Sequence, residues 1–441
     1  MEMRDVNTTM FRIKEFLSTN TITIEDVDKA ITLRVIKRLL SIFSMVRDVR
    51  QKKKVTYRLD CLLLMEFLAA VGGADNGPEA QIFWLRHKKL YKKLFGYENV
   101  PSHDTFDRVL GLIRSSDMNE LMVEIILKAD DALRKVLKLP KVSKRHLSVD
   151  GKQLRGTGRV NTENGAIRDL QTLNIYDNTA DTCLYTERIE DKTNEIPHAQ
   201  AILGAMELRN VLVTFDAMHT QKETVRIISK QHGDYIGGLK GNQHSFCYYV
   251  EDLFTEKKLQ EILSGAENYT CFKEIAHNQL EEREFYLIAP SAKQRKNEFK
   301  EWEKLRSVIY YKKTCTNNIT GKKTTETRYY ISSLTDVAEI AIGIREHWGV
   351  ENRLHHGLDT LMMEDQMGIA NKNTALNRSI MNKMCLALFR KIQELQNLKG
   401  KVSKKILRKS MGWDYEMQMK EALALLDPIA LKKCLVITPK K

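Results

Sequence analysis

Asp150, Asp216 and Glu351 are the residues whose types and settings best fit hydrolytic or transfer chemistry. Asp150 lies in LSVDGK and Asp216 in LVTFDAMHTQ, each at the end of an apolar run that reads as a β-strand. Open α/β sheets place their sites at the carboxyl ends of strands. Two carboxylates held there would bind a hard cation, since Mg²⁺ prefers oxygen ligands and keeps water or phosphate as well. Acids at strand ends also serve as turn residues and helix caps, so either aspartate alone signals little. Glu351, in REHWGVENRLHHGLD, supplies a third acid.

On a regular helix His347, Glu351 and His355 would share one face at i, i+4 and i+8. That face could meet phosphate or a metal-bound water. The pattern HxxxExxxH is not HExxH, so zinc is a poor fit. Asp365 would return to the same face. At about 1.5 Å per residue, however, it would lie roughly 20 Å from Glu351 on a straight helix, too far for one metal cluster. Cations flank the acids: Lys152 and Arg155 in DGKQLRG, with Lys240 and Asn242 in LKGNQ. They suit phosphate, whose charge they oppose. Their bland alternative is a surface ion pair worth little.

The elements that must position these groups can be read along 441 residues. Residues 1–56 read as a mostly helical segment, and residues 57–140 as an α-helical domain in which Pro101-Ser102 starts a helix. The basic linker KLPKVSKR, Lys138 to Arg145, follows. Residues 141–395 read as α/β, with strands at 146–150, 170–177, 183–189, 210–217 and 234–241 and helices between them. A β-rich insertion occupies about 242–335, and helical spacing resumes at Asp336. The segment 396–441 is a basic tail. This rhythm predicts a mixed sheet layered with helices.

Composition bounds the function class. Lys and Arg number 71 against 57 Asp and Glu, a formal charge of +14. That excess favours a polyanion, with nucleic acid ahead of an acidic membrane. Seven cysteines, none in a CxxC pair, suit free thiols in a reducing compartment. The most apolar stretch, Cys61 to Ala74, is interrupted by Glu66 and too short to span a bilayer. A cytoplasmic protein with no membrane partner is expected.

VDGKQLRG, TFDAMHTQ, LKGNQ and HWGVENRLHHGLD, in this order, resemble the motifs of DDE transposases of bacterial insertion sequences. The resemblance is to the group that includes the H-repeat-associated proteins. GGADN and VPSHDTFDRV resemble the helical domain that accompanies that catalytic domain. The likeness runs from about Arg58 to Arg390. It implies a ribonuclease-H-like catalytic fold and a catalytic, metal-binding triad of Asp150, Asp216 and Glu351. The cofactor would be Mg²⁺, with Mn²⁺ as a substitute, and two ions would be held about 3.5–4 Å apart. The partners implied are double-stranded DNA, as element ends and as target, and a second copy of the chain assembled on it. Lys152, Arg155, Lys240, Asn242, His347 and His355 are the expected DNA contacts.

The chain departs from the pattern in places. His356 stands where relatives often carry Trp, and His219 replaces a smaller residue. A fuller signature of Tyr, Arg and Lys around the glutamate is absent, since Ile344, His347 and Leu358 occupy those positions. The end-processing route is therefore left unassigned. Two further readings remain open: a DNA-binding relic that no longer transposes, and a metal-dependent nuclease without strand transfer.

Overall fold

The computed structural model describes residues 20–24, 33–136, 142–161, 165–190, 194–265, 267–276, 278–395, 403–413 and 424–439. The chain divides into two compact units. One comprises Met1–Val142, Gly151–Asp191 and Glu351–Lys441, and the other Ser143–Asp150 and Lys192–Val350. Residues 138–141 of the expected linker, and 396–402 and 414–423 of the tail, lie outside the described residues.

The first unit opens with strand β1 (Asn20–Ile24), within a segment expected to be helical. Four of its five residues, Thr21, Ile22, Thr23 and Ile24, have β-branched side chains, which favour extended backbone. Helices α1 (Leu33–Phe43), α2 (Leu59–Val71), α3 (Gly77–Arg86), α4 (Lys88–Phe95), α5 (His103–Leu112) and α6 (Ser115–Val136) follow. Every residue of α2 is buried, Asp60 and Glu66 included, as expected of a helix with apolar residues on all its faces. It stops at Gly72-Gly73, where Gly73 takes φ +107°, a region glycine enters at little cost. Asn76 then caps α3 by accepting the Glu79 N–H at 2.9 Å, a contact that stabilises helix starts.

Strand β2 (Arg145–Leu154) runs from the second unit into the first. Beyond it lie the short hairpin β3 (Arg159–Asn161) and β4 (Gly165–Ile167), and then β5 (Leu170–Asp177) and β6 (Thr182–Ile189). Within the first unit the strand order is β6-β5-β2.

The second unit continues with α7 (Glu195–Ala205), β7 (Val211–Phe215), α8 (Lys222–Lys230), β8 (Asp234–Leu239), α9 (His244–Asp252) and α10 (Glu256–Gly265). Strands β9 (Tyr269–Ala276) and β10 (Gln279–Ile288), helix α11 (Ala292–Lys296), and strands β11 (Ser307–Asn317) and β12 (Lys323–Ser332) complete the expected insertion. Its strands do not form a separate sheet. The order is β2-β7-β8-β12-β11-β10-β9, with β2, β7 and β8 parallel and the rest antiparallel. The mixed α/β expectation therefore holds. Helix α12 (Val337–His347) packs on this sheet through Ile340 and Ile344, which share a core with Leu212, Ile236, Phe285 and Ile309. Gly343 lets it approach closely: a Cβ there would lie 2.6 Å from the Ile236 Cδ1.

The chain returns to the first unit through a π-helix at Val350–His355 and α13 (His356–Leu361). Helix α14 (Lys372–Leu395) is nearly all buried and packs against α2, α5 and α6. Helices α15 (Lys404–Trp413) and α16 (Pro428–Cys434) follow, and β13 (Leu435–Pro439) pairs antiparallel with β1. No described helix is long and apolar enough to cross a membrane.

Burying α14 forces its polar side chains to find partners. Asn377 Nδ2 donates to the carbonyls of Leu110 and Ile113 at the end of α5, at 2.7 and 2.9 Å. Arg378, fully buried, donates to Glu66 of α2 at 2.8 Å. Burial pushes the Glu66 carboxyl up, and the guanidinium opposes that shift. Removing one partner of such a pair strands a charge, whereas replacing both with apolar groups is often neutral. Arg378→Met should therefore destabilise the protein by about 3–5 kcal/mol, and adding Glu66→Leu should recover most of the loss. Urea unfolding of the three proteins checks this; equal midpoints for wild type and Arg378→Met would refute it.

Candidate active site

Asp150 and Asp216 are neighbours by strand register. The parallel pairing of β2 with β7 ends at Val149 opposite Phe215, and the next residue after each is an aspartate. Strand β2 itself continues to Leu154, so Asp150 lies within its strand and not at the end expected for it, whereas Asp216 directly follows β7. Both are partly exposed. Asp216 opens a tight turn, and its Oδ1 accepts the N–H groups of Met218 and His219, each at 3.1 Å. The Thr220 hydroxyl closes the turn on the Asp216 carbonyl at 2.9 Å. Gly237 of β8 makes room for this turn, because a Cβ there would stand 2.8 Å from Thr220 Oγ1. The LKGNQ segment clasps it from outside. Asn242 Nδ2 donates to the Ala217 carbonyl at 2.6 Å and Gln243 Nε2 to the Thr220 carbonyl at 2.8 Å. Asn242, expected as a DNA contact, thus spends an amide donor on the turn that carries Asp216. Lys240 is exposed. His219 is buried 3.4 Å from Glu195.

A buried polar cluster supports this edge. Thr214, two residues before Asp216, bonds through Oγ1 to His146 Nε2 at 2.9 Å, Ser148 Oγ at 3.0 Å and His347 Nδ1 at 3.0 Å. Burial lowers the His347 imidazole to about 4, although the charge of Asp216 acts the other way. His347 is neutral at neutral pH and cannot serve as a phosphate-binding cation there. Next in the chain, Trp348 carries the Arg328 guanidinium over its ring at 4.6 Å, an attractive cation–π arrangement. The sequence reading missed His146, Thr214 and Arg328. Nothing in an alternating strand distinguishes a buried polar residue from any other inward-facing one.

Glu351 belongs to the first unit and lies exposed in the π-helix. A π-helix bonds i to i+5, so the expected alignment of residues four apart does not apply there. His355 approaches Asn174 of β5, Nε2 to Nδ2 at 3.4 Å. Burial, with the charges of Lys152 and Lys383, lowers its imidazole to about 3. Arg353 reaches Asn178 at 2.8 Å, and Arg390 donates to the Arg353 carbonyl.

Lys152 is buried, not offered to solvent. Its Nζ lies 2.5 Å from Asp359 and 3.8 Å from Asp365. Arg155, exposed, lies 3.9 Å from Asp365. Both expected DNA-contact cations therefore face carboxylates within their own unit. The straight helix assumed for Asp365 also ends early. Helix α13 stops at Leu361, Met363 takes φ +50°, and Asp365 sits in a 3₁₀ turn. Ile344 and Leu358, where the fuller signature is absent, are core residues exposed by 3% and 0%.

The donor set at Asp150 and Asp216 fits a hard divalent cation: two carboxylates just beyond the last paired residues of β2 and β7, one held in orientation by two backbone N–H groups. Among the described residues, no group of three or more His, Cys, Asp or Glu is already gathered as a metal cluster.

The depressed His355 value has a measurable consequence. Its ring resonances should stay unchanged from about pH 7.5 to about pH 5, where an ordinary imidazole titrates near 6.5. The unfolded chain takes up that proton and the folded one does not. This residue's contribution to stability is therefore complete above about pH 6.5 and falls as the solution is acidified toward pH 3. A ring that titrates near 6.5 in NMR spectra of the folded protein would contradict the burial.

The chain is similar to known proteins over most of its length. A family model described as "Transposase DDE domain" matches residues 141–388, and one described as "DDE_Tnp_1-associated" matches residues 40–126. The chain is 28% identical over 344 residues to the "H repeat-associated putative transposase YhhI" of Escherichia coli (strain K12), covering 77% of this chain and 87% of that protein. It is 28% identical over 374 residues to the "Putative transposase YncI" of Escherichia coli O157:H7, covering 84% and 91%. The "Cryo-EM structure of piggyBac transposase synaptic complex with hairpin DNA (SNHP)" aligns with 94% of this chain at a TM-score of 0.42 and 12% identity, a likeness too distant to carry a fold assignment. With more than half its length matched by the one model, the chain belongs to the DDE transposase domain family.

Proposed function

We propose that this protein binds the ends of an insertion sequence and catalyses metal-dependent DNA strand cleavage and strand transfer. The observation that carries the reading is the adjacency of Asp150 and Asp216, each directly after the last residue of the parallel β2–β7 pairing. Glu351 is taken as the third carboxylate because its motif, HWGVENRLHHGLD, resembles the last of the family motifs and follows the other three along the chain. The catalytic domain is proposed to be ribonuclease-H-like, and the DNA-bound form a homo-oligomer.

Asp150, Asp216 and Glu351 would hold Mg²⁺. When bound, such ions lower the pKa of a water or 3′-hydroxyl nucleophile and stabilise the leaving oxygen of an in-line displacement. The chain's own groups do the rest. Backbone N–H donors and the Asn242 clasp fix the Asp216 turn. Thr214 bridges His146 to His347 and so stiffens the sheet behind it. Neutral imidazoles at His347 and His355 add no positive charge that would repel a cation. Of the cations expected to meet DNA, Lys240 is the exposed one without a carboxylate partner among the described residues.

Asp150→Asn keeps the shape of the side chain and removes its charge. Cleavage of labelled end DNA in Mg²⁺ should fall by more than the roughly 10–100-fold typical of losing an outer-shell partner, with DNA affinity retained. Wild-type cleavage by this variant would sink the assignment. The same assay with a target plasmid separates the alternatives. Joined product supports transposition, cleavage alone a nuclease without strand transfer, and binding alone a DNA-binding relic.

A further inference from the structure

The second unit contains a cleft of about 630 Å³ that the carboxylate site does not use. That size lies within the range of ligand pockets, about 300–1,000 Å³. Four cations line it: Arg295, Lys300, Lys304 and Arg306. The one acidic side chain in its lining is Glu303, which is exposed.

The charges are not equally satisfied. Lys304 donates to the Gly233 carbonyl and to Asp234, each at 2.8 Å, so its charge is matched inside the fold. Arg295 donates to a neutral group, the Pro290 carbonyl, at 2.5 Å. Lys300 and Arg306 are exposed, and neither forms an ion pair with a carboxylate among the described residues. Three cations against one carboxylate, gathered in a concavity, repel one another unless an anion enters.

The wall that presents them is rigid. Phe299, Trp302 and Leu305 are buried, and the Trp302 ring stacks on Phe246 at 4.7 Å. Tyr235 of β8 donates its hydroxyl to the Glu303 carbonyl at 3.0 Å. Ser291 and Gln294 form a capping box that fixes the start of α11. Cations on such a frame lose little freedom when they bind. Phe299 and Trp302 line the cleft but are only 2% and 4% exposed, which leaves little ring surface for a base to stack on and favours backbone phosphate over nucleobase recognition.

We infer that this cleft is a phosphate-binding surface for the DNA backbone, with Arg295, Lys300 and Arg306 as its contacts. The inference rests on the proposed action on DNA and adds a contact region that lies in none of the family motifs. Phosphate contacts position a duplex without reading its sequence. The cleft would therefore strengthen binding to any duplex, whether element end or target.

The test uses the full chain, a duplex of about 20 base pairs of arbitrary sequence, and fluorescence anisotropy over a range of salt concentration. Each lost phosphate contact lowers the slope of log K against log salt by about 0.9. Lys300→Gln with Arg306→Gln should lower it by about 1 to 2 and weaken binding several-fold, independent of sequence. Glu303→Gln removes the opposing charge and should tighten binding; this reverse sign guards against a variant that merely folds poorly. An unchanged slope in the Lys300/Arg306 variant, with wild-type DNA binding intact, overturns the inference alone. A wild-type chain with no salt-dependent affinity for DNA overturns the proposed function, and this inference with it. Pyrophosphate raising the melting temperature of wild type but not of the double variant, with DNA binding equal in both, would assign the cleft to a small free phosphoanion and overturn the DNA assignment.

Discussion

The parallel register between β2 and β7 is the constraint on which the site depends. Side chains alternate along a strand, so a one-residue slip would turn Asp150 to the opposite face from Asp216. The register is pinned from below. His146, Ser148 and Thr214 form a hydrogen-bonded cluster across the two strands, and His347 joins it from α12. An unpaired polar group in that position would cost about 1–3 kcal/mol, so a slipped pairing that broke these bonds would be penalised several times over. Polar groups buried beneath the site thus select one register, which apolar packing alone would specify less sharply.

The first unit uses the same device around α14. A buried helix carrying Arg378, Lys383 and Arg390 would be costly if those groups were orphaned. Instead Arg378 meets Glu66, Lys383 donates to Ser379 at 2.6 Å, and Arg390 donates to the Asp181 carbonyl at 2.7 Å. Burial pushes the Asp181 carboxyl up, but Arg390 and Arg353 outweigh it and hold that group well below the usual carboxylate range. Arg353 follows Glu351 by two residues, and His355 follows it by four. The segment that carries the third acid is therefore tied to β5 and to the β5–β6 turn by charged and polar contacts. Such ties are directional, and they fix orientation where an apolar contact would allow rotation.

How much of this was legible in the sequence varies with the physics involved. Strands near 146–150, 170–177, 183–189, 210–217 and 234–241 were readable because runs of β-branched and aromatic residues between turn signals leave little choice. That the 242–335 segment extends the main sheet was not readable, because β12 pairs with β8 across nearly a hundred intervening residues and no local pattern encodes that. Lys152 and Asn242 looked like ligand contacts because their motifs border the acids. Their partners, Asp359 and the Ala217 carbonyl, are set by tertiary contact. Strand Asn20–Ile24 escaped notice for a related reason: its partner lies at the far end of the chain. The strand end expected at Asp150 rests on a short apolar run, a local feature, and β2 runs on to Leu154 because β5 continues to pair with it after β7 has stopped.

The π-helix at Glu351 shows why the helix-face reading failed where it did. Buried apolar residues recur at Val350, Leu354, Leu358 and Leu361, a spacing that reads as an uninterrupted α-helix from sequence. A π turn takes in one more residue for each hydrogen-bonded loop, so later side chains shift in phase from those before. In this chain the wide turn begins at Val350, directly before the glutamate. Such turns are rare and concentrate at functional sites, because the distortion must be stabilised by surrounding contacts to persist. Here those contacts are the buried Leu354 and the bonds from Arg353, His355 and Arg390. They leave Glu351 and Asn352 exposed, with the carboxylate carried on backbone whose irregular geometry is held by its neighbours and not by its own helical pattern.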